Sequence, residues 1–168
     1  RKGGAALSSV AVTGRMEEEA IVLPGLEAER TALARLLAAR PVWFAAGVIE
    51  AEEAAVLHAH RKALQHSHRL LLILMPEDPA RSAPLSVRLE AEGWAVAQRA
   101  QEEEPEPEIE VFIVDNPAEY GLWYRLAPVS FLGGTLLGKG PTRSPMEAAA
   151  LGSAILHGPR TDVTGPVF

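Results

Sequence analysis

Residues 131–159 read FLGGTLLGKGPTRSPMEAAALGSAILHGP, and how this stretch is understood decides the fold. It predicts a buried strand that runs into Gly133-Gly134, then a loop, a short helix and a second strand. The loop carries Thr135, Lys139, Thr142, Arg143 and Ser144. Pro145 suits the first helical position, because it lacks an N–H and its φ is preset. Ser144, just before it, is a good N-cap. The free N–H groups and dipole at the start of this helix are the kind that attract a phosphate. Glu147 lies two residues into the helix and is expected to face the same crevice. A carboxylate there can accept two hydrogen bonds from a ribose diol, as an acidic residue does in dinucleotide folds. Two readings stay open on these residues: a nucleotide site, or an ordinary βαβ connection rich in glycine.

Working outward, the same alternation recurs along the chain. Ser8 to Thr13 reads as a short strand closed by Gly14, and Leu26 to Ala39 as a helix ended by Arg40-Pro41. Val42 to Gly47 (VWFAAG) is a continuous apolar run, the mark of a parallel strand buried on both faces. A helix is expected from about Glu50 to Gln65, a strand over His68 to Met75, and a helix from about Ala80 to Glu92. Trp94 to Arg99 reads as a strand nearer the edge, and Ile109 to Val114 as another strand. A helix opened by Pro117 follows, then strands at Val129 to Leu132 and Ala154 to His157. About six strands alternating with helices imply an α/β fold with a Rossmann-like doubly wound parallel sheet. Ligands of such sheets bind beyond the carboxyl ends of the strands. That places Gly47 to Glu50, Pro76 to Arg81, Asp115 to Glu119 and Gly133 to Glu147 on one rim.

Whole-chain properties set the bounds. The 168 residues suffice for one domain with a proper core. Apolar residues make up 48% and the net charge is −6, with a mean hydropathy of +0.05. No basic stripe accompanies that acidic balance, which argues against nucleic-acid binding through bulk electrostatics. Cysteine is absent, so disulfides and thiolate metal sites are excluded. No apolar run approaches the roughly 20 residues that span a bilayer. The start at Arg1 and the loop-like end TDVTGPVF suggest an internal piece of a longer polypeptide.

Several candidates have simpler explanations. His58 and His60 lie two apart on a helix and face different ways, and His68 begins a strand, so these read as solvated or core histidines and no metal is expected. Gln101 to Glu108 reads as a solvated acidic loop, and Glu17 to Glu19 and Glu52-Glu53 as solvated faces. Trp43, Trp94 and Trp123 fit core positions better than sugar platforms. No serine has a nucleophile-elbow context.

The segments VTG (12–14), RPVWFAAGVIEAEE (40–53), HRLLLILMPEDPAR (68–81), VDNPAEYGLWYRLAPVSFLGGTLLGKG (114–140) and SPMEAAALGSAILHGP (144–159) follow one another in a recognisable order. In that order the chain resembles the 3-deoxy-D-manno-octulosonic acid (Kdo) transferases. These enzymes move Kdo from CMP-Kdo to lipid A precursor in Gram-negative bacteria. The resemblance implies the carboxy-terminal, donor-binding domain of a glycosyltransferase-B fold, with residues 1–168 forming a CMP-Kdo-binding domain. The acceptor site and the general base would then lie on an amino-terminal half, at the cytoplasmic face of the inner membrane. It implies no metal, no catalytic residue on this piece, and a soluble domain that does not turn over by itself. Two alternatives stay beside it: another nucleotide-sugar transferase or epimerase of the same fold, and a non-catalytic module that has lost donor binding.

Carried over position by position, the resemblance assigns Glu147 to the CMP ribose. Gly133, Gly134, Thr135, Ser144 and Pro145 line the nucleotide and sugar-phosphate region, and Asp115, Asn116 and Glu119 match a family turn and helix start on the same rim. The family's Pro-Arg-His-Pro-Glu-Arg is here Pro76-Glu77-Asp78-Pro79-Ala80-Arg81, so two acids replace a basic pair. Its Ser-Thr-His-Glu becomes Gly47-Val48-Ile49-Glu50, and its Asn before Pro145 is Ser144. Arg81, Lys139 and Arg143 are expected to supply the positive charge lost at position 77.

Overall fold

The computed structural model describes residues 22–160; the strand expected over 8–13 lies outside them. Within that span, six strands form one sheet: β1 (Val42–Val48), β2 (Leu71–Pro76), β3 (Val96–Gln98), β4 (Val111–Ile113), β5 (Val129–Leu132) and β6 (Ala154–Leu156). Their order is β3-β4-β2-β1-β5-β6, and every pairing is parallel. Five α-helices flank them: α1 (Glu27–Leu37) ahead of β1, and α2 (Glu50–Leu64), α3 (Ser82–Ala91), α4 (Tyr120–Leu126) and α5 (Pro145–Ala150) between strands. A doubly wound α/β sheet is thus borne out.

The period of two along each strand sorts the core into two layers. Phe44, Ala46, Leu71, Ile73, Met75, Phe112 and Leu132 face α1 and α4, where they meet Leu33, Leu37, Leu122 and Trp123. Ala45, Leu72, Leu74, Val111, Ile113 and Phe131 face the other way, against Val56 and Leu57 of α2 and Leu85 and Leu89 of α3. All six residues of β2 are buried, which is why that segment shows no polar alternation. Each fully buried aliphatic side chain in these layers contributes roughly 1.5–3 kcal/mol. Trp94 and Trp123 are core residues, and Trp43 is half-buried.

Boundaries moved where local backbone geometry overrode the apolar pattern. α1 stops at Leu37 because Ala38 and Ala39 turn left-handed, with φ of 46° and 59°. The edge strand β3 starts at Val96 rather than Trp94, because Gly93 turns at φ 86° and the Trp94 N–H still closes α3 on the Leu89 carbonyl at 3.0 Å. His68 to Leu70 form a turn before β2.

Candidate functional site

From β1 the chain steps to β2 on one side, while β5 docks on the other, so the strand order reverses at the β1–β5 seam. Open α/β sheets bind ligands beyond the carboxyl ends of the strands at such a seam. Here the two strands meet glycine against glycine. The Gly133 N–H donates to the Ala46 carbonyl at 2.8 Å, and a Cβ on Gly133 would lie 2.0 Å from the Gly47 carbonyl oxygen. Gly47 itself has φ +64° and sits where the β1–β2 register shifts.

The loop after β5 is organised by a residue read above as solvated. Glu52 and Glu53, in the first turn of α2, are both fully buried, which corrects the expectation of a solvated face. Glu52 accepts hydrogen bonds from the N–H groups of Gly134 (2.7 Å), Leu136 (2.7 Å) and Leu137 (3.0 Å). Glu53 turns to the neighbouring helix and pairs with Arg81 at 3.0 Å and Arg88 at 2.9 Å. A run such as EAEEAA carries no local signal of burial. Only the partners, which lie far off in sequence, explain it.

Two consequences follow for the residues expected to cradle a phosphate. The Gly134 N–H is already bound by Glu52. Thr135 is fully buried; its hydroxyl donates to the Leu132 carbonyl at 2.5 Å and accepts from the Gly158 N–H at 2.9 Å. Ser144 is the N-cap of α5, as expected, accepting from the Met146 N–H at 3.3 Å, and Pro145 takes the first turn.

What the rim presents to solvent is a charged cluster around Gly47. The Arg143 guanidinium lies 3.7 Å from the centre of the Tyr120 ring, a cation–π arrangement. It donates to Glu147 Oε2 from Nε at 2.8 Å and pairs with the same oxygen through its terminal nitrogen at 2.7 Å. Glu147 Oε1 carries no hydrogen bond among the described residues. A Cβ placed on Gly47 would stand 2.9 Å from Glu77 Oε2, 3.3 Å from the Tyr120 hydroxyl and 3.8 Å from Arg143 Cγ; the bare glycine is what lets these three groups close in on the end of β1. Burial raises the Glu77 carboxyl above its usual range, opposed by Arg143. Burial also pushes the Tyr120 phenol up to about 12, so this hydroxyl can donate a hydrogen bond but does not serve as a base at neutral pH. The Thr142 hydroxyl, next to Arg143, is buried without a hydrogen-bond partner.

The remaining candidates fall elsewhere. Arg81 is held by Glu53 and by Glu50 at 3.0 Å, which ties its guanidinium to α2. Lys139 is exposed on the loop, and Pro76 ends β2 as a buried residue. Asp115, Asn116 and Glu119 line a separate hollow of about 460 Å³ with Arg99 and the acidic residues Glu102 to Glu104. Asn116 caps the turn at Pro117–Glu119 through the Ala118 N–H, and Glu119 is paired with Arg99 at 2.9 Å. Among the described residues, no group of His, Asp or Glu side chains is arranged to hold a metal ion, and no helix is long and apolar enough to cross a membrane.

Comparison with proteins of known identity places this geometry. The chain is 30% identical over 122 residues to the 3-deoxy-D-manno-octulosonic acid transferase of Haemophilus influenzae, a match covering 73% of this chain and 28% of that protein. It is 35% identical over 94 residues to the transferase of Bordetella pertussis, covering 55% of this chain and 22% of the relative. The chain is a relative of the Kdo transferases. It therefore spans about a quarter of the length of these Kdo transferases. The fold matches the crystal structure of the C-terminal CMP-Kdo binding domain of WaaA from Acinetobacter baumannii, with a TM-score of 0.74 and 24% identity over 83% of this chain and 75% of that one. No protein-family profile matches.

Proposed function

We propose that this chain is the donor-binding domain of a glycosyltransferase-B enzyme that transfers Kdo from CMP-Kdo to lipid A precursor. The observation that carries this reading is the convergence of Arg143 and Glu147 on the switch-point crevice of a chain related to Kdo transferases. Both Arg143 contacts end on Oε2 of Glu147, so Oε1 is open to accept a hydrogen bond from a ribose hydroxyl. The Arg143 guanidinium, paired with that carboxylate, would meet the nucleotide phosphate.

In the reaction, an acceptor hydroxyl forms a bond to the anomeric carbon of Kdo while the bond from that carbon to the phosphate oxygen breaks. CMP leaves with the electron pair, and a cation fixed at the phosphate stabilises the charge that develops there. Arg143 fills that role in this chain, with exposed Lys139 adding field from the loop. Arg81, tied to Glu53 and Glu50, has no part in it. The base that deprotonates the acceptor, the acceptor site and the association with the cytoplasmic membrane face belong, in this reading, to an amino-terminal half. The domain by itself binds donor without turnover.

Calorimetric titration with CMP, with UMP and AMP as controls, tests the reading. Saturable binding selective for CMP and lost in Glu147→Ala supports it. Unchanged affinity in the double variant Lys139→Ala, Arg143→Ala would remove the cation from the argument. Equal affinity for UMP would favour a different nucleotide-sugar enzyme, a reading that the acidic Glu77 beside Arg143 keeps in view.

A further inference from the structure

Glu52 does more than fill space. Its carboxylate divides the amides of the loop after β5 between its two oxygens: Oε2 takes Gly134 at 2.7 Å, and Oε1 takes Leu136 at 2.7 Å and Leu137 at 3.0 Å. The side chain belongs to the first turn of the 15-residue helix α2, where the helix dipole favours negative charge. Backbone amides converging at a helix start are the arrangement that phosphate-binding loops offer to a ligand. Here a side chain of the protein occupies it. The loop then crosses the start of α2 in close contact: a Cβ on Gly138 would lie 3.3 Å from Ala51 Cβ, and one on Gly140 would lie 2.6 Å from Ile49 Cγ2. It folds back until a Cβ on Gly134 would stand 2.2 Å from the Pro141 carbonyl oxygen. Two residues later comes Arg143, packed on Tyr120 and paired with Glu147.

We propose that Glu52 is the positioning residue of the crevice: its carboxylate fills the amide cradle of the 134–137 loop and thereby sets the course that delivers Arg143 to the nucleotide. This inference rests on the donor reading above. It also separates two tasks, since the amides of the cradle hold the protein's own carboxylate, and the ligand phosphate is left to the Arg143 side chain. Glutamine at position 52 keeps the shape but has one acceptor oxygen and an NH₂ group. Whichever way it turns, an N–H of the loop faces another donor and loses its partner.

Glu53 supplies the control. It is as buried as Glu52 and adjacent on the same turn, but it binds Arg81 and Arg88 instead of the loop. CMP would be titrated calorimetrically into the wild-type domain, Glu52→Gln and Glu53→Gln. Amide exchange at Gly134, Leu136 and Leu137 would be read by NMR on the same samples without ligand. Glu52→Gln is expected to weaken CMP about tenfold or more, the effect of losing one charge-assisted hydrogen bond, and to speed exchange at those three amides. Glu53→Gln is expected to leave both near wild type, even where it lowers the melting temperature. Wild-type CMP affinity in Glu52→Gln overturns the proposal, and so does equal weakening in the two variants, which would mark a general loss of stability. Should Glu52→Gln not fold, Glu52→Asp keeps the charge on a shorter arm that cannot span the cradle. Undiminished CMP binding by that variant overturns the proposal equally. A wild-type domain that takes up no CMP at millimolar concentration overturns the donor reading, and this proposal with it. Binding that is present but indifferent to position 52 removes this proposal alone.

Discussion

At the amino-terminal ends of the strands, Arg40 is 7% exposed, and its guanidinium donates to three backbone carbonyls: Arg69 at 2.5 Å, Glu106 at 3.0 Å, and Ile109. Beside it His60, fully buried, accepts from the Trp43 indole at 3.0 Å, approaches the Glu110 carbonyl at 2.9 Å with its other nitrogen and stacks on Trp94. At the carboxyl-terminal ends, Arg143 pairs with Glu147 and lies over the Tyr120 ring, Glu147 keeps an open oxygen, and Thr142 keeps an unpaired hydroxyl. Both ends use an arginine and aromatic rings. One arginine is turned entirely inward and staples three loops together, whereas the other stands half-buried with bonding capacity left over. An arginine in an α/β domain is thus judged by what its donors already hold and by which end of the sheet it occupies.

That contrast breaks if substitutions at the two ends act alike. The largest effect is expected from Arg40→Met, which removes three part-buried hydrogen bonds from a charged donor and costs roughly 3 kcal/mol or more of folding stability. Denaturant unfolding reads that loss, and CMP affinity should stay unchanged. Next is the pH response of the same end. Burial first, and the nearby Arg40 charge as well, lower the His60 pKa to about 4. A depressed histidine pKa means that the unfolded chain takes up the proton first. The stability contributed by neutral His60 is therefore fully present above about pH 6.5 and is lost as pH falls towards 4, by on the order of 3 kcal/mol. His60→Gln should flatten that part of the stability profile relative to wild type; an unchanged profile would show that this ring does not resist protonation. At the rim the order of effects is reversed. Arg143→Gln should change stability by less than about 1 kcal/mol, as partly exposed ion pairs do, yet weaken CMP about tenfold by the loss of one charge-assisted contact. The smallest effect is expected for Lys139→Ala: roughly two- to threefold weaker CMP binding, fading as salt is raised, with no change in melting temperature.

How much of this was legible in the sequence depended on the reach of each signal. The buried strands at Val42–Val48 and Leu71–Pro76 announce themselves because both faces must be apolar. Ser144-Pro145 marks the start of α5 because capping chemistry is local. Arg143 and Glu147 were both placed on the rim, but the ion pair between them across the start of α5 was not read. Glu52, Glu53 and Arg40 escape such reading. Each is a charged residue whose burial is repaid by partners in other segments, and nothing within a few positions of it betrays them. Arg81 illustrates the converse. Its place on the rim was read correctly from the strand ends, but Glu53, the buried carboxylate that turns its guanidinium towards α2, was itself read as solvated.

The β1–β5 seam bears on how the chain comes to fold. β1 finds β2 across a single helix, but its pairing with β5 must wait until the intervening strands and helices have been laid down. Non-local parallel pairing is slow because loop closure precedes its reward. As the polypeptide emerges in order, the β1–β4 part of the sheet can form first, with the Gly47 edge uncovered until Gly133 arrives to close it. In that order of pairing, the seam between Gly47 and Gly133 is the part of the sheet completed last but for β6.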